Sequence, residues 1–565
     1  DLLAYLVRRL LENGANSSFV HKVVDPAYSP LTLAADPFAS LTNLQTPRPA
    51  SLCDPADIYA PDRTAARGWD LNNGDTVREL TLARERFTTH RWQAEPLLAC
   101  DIEAGSDIKK GRDISNPANA RDFVGFCIEA TKADCEHALA AARDWNDAGA
   151  AQRAFTLRRA ADLFEANTGE LMALLAREAG KCAADGVAEI REAVDFLRYY
   201  ANRGEELSQQ EARGIFSCIS PWNFPLAIFT GQIAAALAAG NGVLAKPAET
   251  TPLIAAAAVK LLHLAGVPRE VLQFLPGDGG TVGHALTGSA SIAGVCFTGS
   301  TATAKKINLN MAAHLAPTAP LIAETGGINA GIVDSTALPE QAIRDTLASA
   351  FQSAGQRCSA LRILYVQEDV AEILLTMLYG AMDELEMGDP WSLATDIGPV
   401  ISQQAQRSIL TYVDAAKGEG RLLKQLPAPS EGHFVGPAVI EVTGIADIAD
   451  EIFGPVLHIA RFKAQDFDRV IADINASGYG LTFGLHTRID DRVKDVSLNV
   501  HAGNIYINRN QIGAVVESQP FGGEGLSGTG PKAGGPRYVQ RFVQPMPASQ
   551  AEPATGTDAI AQGDA

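Results

Sequence analysis

Residues Gly294–Asn310 read GVCFTGSTATAKKINLN. The apolar run through Phe297 gives way at Gly299 and Ser300 to a helix-forming stretch, so the pattern predicts a strand, a glycine turn and a helix. Free backbone N–H groups and the positive end of the helix dipole converge at such a turn, which suits it to a phosphate group. Upstream, Pro276–Leu286 (PGDGGTVGHAL) offers a second glycine turn, at Gly277, before another helix. Neither has GxGxxG spacing, so each alone is a weak signal of a nucleotide site.

Working outward, short apolar runs stand at GIFSCIS (214–220), GVLAKP (242–247) and VLQFLPG (271–277), with Ala/Leu-rich helices at Ala130–Trp145 and Gln152–Arg177. Strands alternating with helices predict an α/β fold with a mainly parallel sheet covered on both faces. The alternation restarts after Glu324 with NAGIVD (329–334), a helix over Leu338–Ser353, ILYVQ (363–367) and a helix over Val370–Leu385, which places a second α/β domain from about Gly326. The expected organisation is an amphipathic helix over 1–24, a linker over 25–107, a cofactor-binding domain over 108–325 and a catalytic domain over 326–504. A glycine-laden loop with strand-like ends over 505–545 is expected to pair with another element or another subunit. The Ala/Pro/Gly-rich tail, 546–565, is expected to be disordered.

A chain of 565 residues exceeds one hydrophobic core. Its 47 basic and 66 acidic residues give a net charge of −19, which removes the electrostatic footing of a broad nucleic-acid surface. Eight cysteines are scattered without a CxxC pair, as expected of reduced thiols in a cytoplasmic protein, and the ten histidines include no HExxH, so no metal is expected. Leu226–Ala245 is long enough to cross a bilayer, but Gln232, Gly240, Asn241 and Gly242 divide it into a small-residue helix and a short strand. The chain opens inside a helical pattern without a leader, and its start reads as internal to a longer protein.

Cys358, in FQSAGQRCSALR (351–362), sits among Gly, Ser and Ala rather than branched apolar residues. A nucleophilic thiol needs a raised thiolate fraction, donors for an oxyanion and a base for the second half-reaction. Arg357 and a nearby helix start are expected to favour the thiolate. Glu324, between an apolar strand and two glycines, is the candidate base, because desolvation raises a carboxyl pKa towards neutrality. Asn223 in SPWNFPL is the candidate oxyanion donor. Lys246 and Glu249, just beyond GVLA, provide the acidic residue that a dinucleotide-binding sheet sets against a ribose.

Together SPWNFPL, KPAETTP, FTGST, ETGG at Glu324, GQRCS at Cys358 and EIFGPV at Glu451 resemble, in order and spacing, the aldehyde dehydrogenase superfamily over roughly 108–545. The distance between base and nucleophile, 358 − 324 = 34, is similar to that superfamily's as well. RCSALR and NRNQIGAVVESQPFGGEGLSGTG resemble more narrowly the L-glutamate γ-semialdehyde (Δ1-pyrroline-5-carboxylate) dehydrogenase half of the bifunctional proline utilization A family. The opening YLVRRLLENGANSSFV resembles the last helix of that family's proline dehydrogenase barrel, in which Arg8 and Arg9 would bind a proline carboxylate.

The resemblance implies that Cys358 attacks the aldehyde, that Asn223 and the Cys358 N–H hold the oxyanion, and that Glu324 activates the hydrolytic water. It implies NAD as cofactor, with Pro221, Trp222, Lys246, Glu249, Gly277, Gly299 and Ser300 on its adenosine and pyrophosphate side and Glu451 and Phe453 on its nicotinamide-ribose side. FAD would belong only to the missing barrel. Ser359, Gly513 and Ala514 would hold the substrate carboxylate with neutral donors, and Phe224 and Phe521 would line its aliphatic part. A homo-oligomer, a dimer in particular, is expected, without nucleic-acid binding or a membrane span. The competing expectations are another aldehyde such as succinate semialdehyde, a DNA-binding repressor, and a catalytically silent scaffold.

Overall fold

Strands buried on both faces carry continuous apolar runs, and IFSCI, GVLAK and AGIV are such runs. The computed structural model describes residues 2–14, 19–42, 52–99 and 111–545. Two compact units divide the chain between Tyr59 and Ala60. The first holds helices Leu2–Gly14, Phe19–Val24, Pro30–Leu33 and Pro37–Thr42, and its leading helix exposes Leu3, Leu6, Leu10 and Leu11. The single helix expected over 1–24 is therefore two, and residues 15–18 between them lie outside the described residues, as does the 546–565 tail.

In the second unit the strands run, in chain order, β1 (Trp92–Ala94), β2 (Gly111–Asn116), β3 (Asn119–Ile128), β4 (Ile215–Ile219), β5 (Gly242–Lys246), β6 (Leu272–Phe274), β7 (Ile292–Gly299) and β8 (Leu321–Thr325). They continue with β9 (Ala330–Val333), β10 (Ile363–Gln367), β11 (Leu422–Gln425), β12 (Ala438–Glu441), β13 (Val456–Phe462), β14 (Tyr479–Gly480), β15 (Thr482–His486), β16 (Asn504–Ile507) and β17 (Glu524–Gly525). One all-parallel sheet has the order β6-β5-β4-β7-β8. The chain first builds β5 and β6 to one side of β4 and then crosses to lay β7 and β8 on the other. An open parallel sheet binds ligands in the crevice at the carboxyl ends of its strands where that direction reverses, here between β4 and β7. The second large sheet, β11-β12-β13-β10-β9-β15-β16, is parallel except for its β11 edge.

Helix Ala227–Ala238 (AIFTGQIAAALA) is almost wholly buried against the first sheet, its small residues permitting close approach, and β5 follows it, as the sequence divides that stretch. No helix among the described residues is long and apolar enough to cross a membrane.

Three further expectations differ from the structure. The helix read over Ala130–Trp145 is shorter, Lys132–Ala141, because Thr131 and Asp134 close a capping box at its start. The helix read over Gln152–Arg177 is two, Gly149–Ala166 and Thr168–Arg177, interrupted at Asn167, whose side chain donates to Leu163 O at 2.8 Å. Residues 60–99 are not a bare linker: Asn73 caps helix Gly74–Glu85, and Trp69, Leu80, Phe87 and Trp92 enter the same core as Leu157 and Leu174. Those anchors are spaced irregularly between polar clusters, so no period marks them. In the 505–545 segment the pairing with another element is found: β16 pairs with β15, and β17 with β14.

Candidate active site

Helix Pro339–Phe351 ends in a backbone conformation that side chains resist. Ser353 (φ 58°), Ala354 (φ 53°) and Gly355 (φ 66°) are consecutively left-handed, at a cost of roughly 1–2 kcal/mol for each non-glycine residue. Glycine is required at the third position, since a Cβ on Gly355 would lie 2.2 Å from Gly454 O. The turn delivers Cys358, and three side chains pin it. The Gln356 amide donates to Ser353 O and Pro399 O, both at 3.1 Å, and accepts from Ile401 N–H at 2.8 Å. Asn329 donates to Cys358 O (2.6 Å) and Ala360 O (2.9 Å). Fully buried Arg362 donates to Gly355 O (2.7 Å), Arg357 O (3.0 Å) and Glu451 Oε1 (2.9 Å). Sequence reasoning missed these three. Their signal is a lone polar residue at the mouth of an apolar strand, Asn329 before β9 and Arg362 before β10.

Asn223, just past β4, is buried and donates through Nδ2 to Gln356 O at 3.2 Å, leaving one N–H of the amide for another acceptor. The Cys358 N–H has no protein acceptor among the described residues. Both donors lie at the Cys358 turn. The thiol differs from expectation: burial pushes it up to about 12, the Glu451 and Glu324 carboxyls add to the rise, and Arg357 with the Ser359 N–H only partly offsets it. Arg357 is committed to a buried ion pair with Asp185, and no helix begins at Cys358, so the resting sulfur is a neutral thiol. Glu324, near the end of β8, is pushed up to about 8 by burial, against the Gly523 N–H (3.0 Å) and the charge of Lys532; its Oε1 has no hydrogen-bond partner among the described residues.

A cavity of about 140 Å³ brings together Cys358, Glu324, Ser359, Phe224, Phe521 and the Gly513–Ala514 turn. Gly513 has φ 89°, and neither its N–H nor that of Ala514 meets a protein acceptor among the described residues. The Ser359 hydroxyl is likewise uncommitted, while its carbonyl accepts from Thr482 at 3.1 Å.

Of the remaining predicted residues, Glu451 and Phe453 precede β13 of the second sheet, and the others lie at or just past the carboxyl ends of the first sheet's strands. Pro221 and Trp222 follow β4, and the Trp222 ring meets Phe453 edge-on at 5.5 Å. Phe453 in turn lies 5.2 Å from the Arg362 guanidinium. Lys246 ends β5 and reaches Glu249 Oε1 at 3.3 Å; burial lowers its pKa and Glu249 opposes the shift. The Gly277 turn after β6 packs beside this pair, a Cβ on Gly279 falling 3.9 Å from Glu249 Oε1. Gly299 ends β7, and the Ser300 hydroxyl caps helix Thr301–His314 by accepting from Thr303 N–H at 3.2 Å. A half-exposed carboxylate, a glycine turn and a helix N-terminus along one crevice fit a dinucleotide: hydroxyls meet the acid, and phosphates meet N–H groups.

The model of the aldehyde dehydrogenase family matches residues 103–546. The chain is 49% identical over 571 residues to the bifunctional protein PutA of Klebsiella aerogenes, covering 97% of this chain and 43% of that protein, so it spans less than half the length of this relative. It is 37% identical to the 1-pyrroline-5-carboxylate dehydrogenase of Bacillus cereus, over 77% of this chain and 89% of that protein. The solved structure of 1-pyrroline-5-carboxylate dehydrogenase from Thermus with bound NAD superposes with a TM-score of 0.79 at 34% identity, over 85% of this chain and 97% of that one. A family model spanning most of the chain, and a relative matched along nearly its whole length, establish that the chain belongs to the aldehyde dehydrogenase family.

Proposed function

We propose that this chain oxidises L-glutamate γ-semialdehyde, the hydrolysed form of Δ1-pyrroline-5-carboxylate, to L-glutamate with NAD+, the second step of proline catabolism. The carrying observation is one cavity in which Cys358 and Glu324 share space with uncommitted neutral donors at Ser359, Gly513 and Ala514. The names of the Bacillus and Thermus relatives support the substrate, and the bound NAD of the Thermus structure supports the cofactor.

The sulfur of Cys358 attacks the aldehyde carbon as its proton passes to solvent water, and the carbonyl electron pair moves onto oxygen as the S–C bond forms. The resulting oxyanion takes the free N–H of Asn223 and the N–H of Cys358, donors that add no charge to quench the nucleophile. NAD+, held by the crevice residues from Pro221 to Ser300 and by Glu451 and Phe453, supplies the hydride acceptor. Loss of hydride leaves a thioester on Cys358. Glu324, once ionised, takes a proton from water; the hydroxide adds to the thioester carbon, the C–S bond breaks, and glutamate departs. Ser359, Gly513 and Ala514 hold the α-carboxylate, and Phe224 and Phe521 pack on the methylenes.

Proline dehydrogenation and FAD are assigned to sequence beyond this chain. A cytoplasmic homodimer completes the proposal; the seven described cysteines, all free, suit a reducing compartment. The test is NADH absorbance on mixing the chain with NAD+ and Δ1-pyrroline-5-carboxylate, with propanal and succinate semialdehyde alongside. Preferential turnover of the pyrroline carboxylate is expected. Turnover of succinate semialdehyde alone would keep the family chemistry and overturn the substrate.

A further inference from the structure

Residues Asp62–Ala66 stand upstream of the stretch that the family model matches, yet helix Ala183–Glu206 grips them along their backbone. Asp195 Oδ1 accepts from Ala66 N–H at 2.9 Å, Arg198 donates to Ala65 O at 3.2 Å, and Asn202 donates to Asp62 O at 2.6 Å. From this segment Arg63 turns inward, its side chain only 2% exposed. Its guanidinium donates to Asp195 Oδ1 at 2.6 Å on the helix. The same group donates to Glu517 Oε2 at 2.9 Å and to Val516 O at 3.3 Å, on the loop that follows Gly513 and Ala514. One cation thus joins helix to loop and stands between two carboxylates that repel each other without it.

The loop is held from outside rather than by packing at its substrate end. A Cβ on Gly513 would meet nothing within 4 Å, and the Gly513 carbonyl accepts from Tyr506 OH at 3.1 Å. Beyond Ala514 the chain turns sharply, Val515 and Gln519 exchanging N–H···O bonds of 3.2 and 2.8 Å across Glu517. Glu517 has φ 78°, a left-handed backbone that a glutamate resists, and its N–H donates to Gly534 O at 2.9 Å. Val516 and Gln519 line the cavity with Cys358 and Ser359, so a shift of this hairpin displaces the wall on which the N–H groups of Gly513 and Ala514 are mounted. The Cys358 turn shares none of these contacts: Gln356, Asn329 and Arg362 fix it separately.

We propose that Arg63 is a positioning residue for substrate recognition: by clamping Val516 and Glu517 to Asp195 it sets the Gly513–Ala514 turn, and through it the affinity for the carboxylate end of the aldehyde. The inference rests on the function proposed above. Arg63 lies outside the lining of the cavity and acts only through the loop. A segment upstream of the family domain thereby takes part in that domain's choice of substrate, while the chemistry at Cys358 is left to the domain itself.

The test measures KM and kcat for L-glutamate γ-semialdehyde and for propanal, which has no carboxylate, in wild type, Arg63→Gln, Arg63→Lys and Glu517→Gln. A hydrogen bond to a charged group is worth about 10- to 100-fold, and a loosened loop forfeits the lower end of that range. Arg63→Gln should raise KM for the semialdehyde about tenfold, with kcat/KM for propanal within about threefold of wild type. Arg63→Lys should recover only part of the loss, because a point charge cannot span two carboxylates and a carbonyl. Glu517→Gln removes only the loop's end of the clamp, from a side chain 31% exposed, and should shift KM in the same direction by about threefold. Should Arg63→Gln fail to fold, Glu517→Gln decides. An equal fall for both substrates, or no change in KM for the semialdehyde, would overturn the role of Arg63 and leave the proposed function standing. Wild type that oxidises propanal but not the semialdehyde would overturn both.

Discussion

Arg362 donates to Glu451 at 2.9 Å and, from the same guanidinium, to the backbone oxygens of Gly355 and Arg357 on either side of the turn before Cys358. One side chain thereby ties the nucleophile's loop to a residue assigned to the cofactor's nicotinamide side. Arg362→Met leaves Glu451 buried without its cation, a loss of about 3–5 kcal/mol for a broken buried pair. Chemical denaturation should show that loss, and Arg362→Lys should not restore it, because an ammonium lacks the planar fork. Stability of the Met variant within 1 kcal/mol of wild type would remove the pairing from the account.

Gly355→Ala places a Cβ 2.2 Å from Gly454 O in a left-handed backbone. The turn must open, with a strain of about 1–3 kcal/mol, and Cys358 shifts with it. We expect kcat to fall at least tenfold while the affinity for NAD+ measured by calorimetry stays within a factor of about three.

Cys358→Ala should abolish NADH formation and leave NAD+ binding nearly intact. Residual turnover near wild type would identify another nucleophile.

The raised carboxyl of Glu324 predicts a rate limb and a stability slope of opposite sense. As a base it works only when ionised, so thioester hydrolysis should rise with pH up to about 8 and level off above it. Glu324→Gln should flatten that limb and slow hydrolysis by about 10²- to 10⁴-fold. For stability, the folded carboxyl holds its proton up to about pH 8, whereas the unfolded one releases it near the ordinary carboxyl value of 4.5. The folded state binds more protons across this window, so its stability is highest below pH 4.5 on this account and falls as pH rises to 8. Denaturation midpoints of Glu324→Gln should fall less steeply over the same range.

Ser359→Ala should raise KM for glutamate semialdehyde more than for propanal, which has no carboxylate to lose a donor. Equal effects on both would take Ser359 out of substrate recognition.

The first sheet was legible because its strands are unmixed apolar runs ended by glycine turns, and its carboxyl edge therefore held Trp222, Lys246, Glu249, Gly299 and Ser300 in readable positions. Cys358, Glu324 and Asn223 stood out as polar residues in unusual company. Helix Ala183–Glu206 did not stand out, because Asp185, Glu189 and Arg198 interrupt its buried face and hide the helical period. The state of the Cys358 thiol was misread for a related reason. Arg357 is adjacent in sequence, but its charge is taken up by Asp185, a residue 172 positions away.

Asn329 before β9, Arg362 before β10, Gln356 bound to Pro399, and Asn223 after β4 all converge on a few residues of backbone that would not hold their shape alone. Cys358 is consequently equipped for attack only in the finished fold. In a chain still emerging from synthesis, or one loosened by heat, it is an ordinary thiol, freed of the burial that raises its pKa but with no oxyanion donors beside it. Turnover should then vanish at the first slackening of the structure, before secondary structure is lost, which makes specific activity an early gauge of ageing in any preparation of this enzyme.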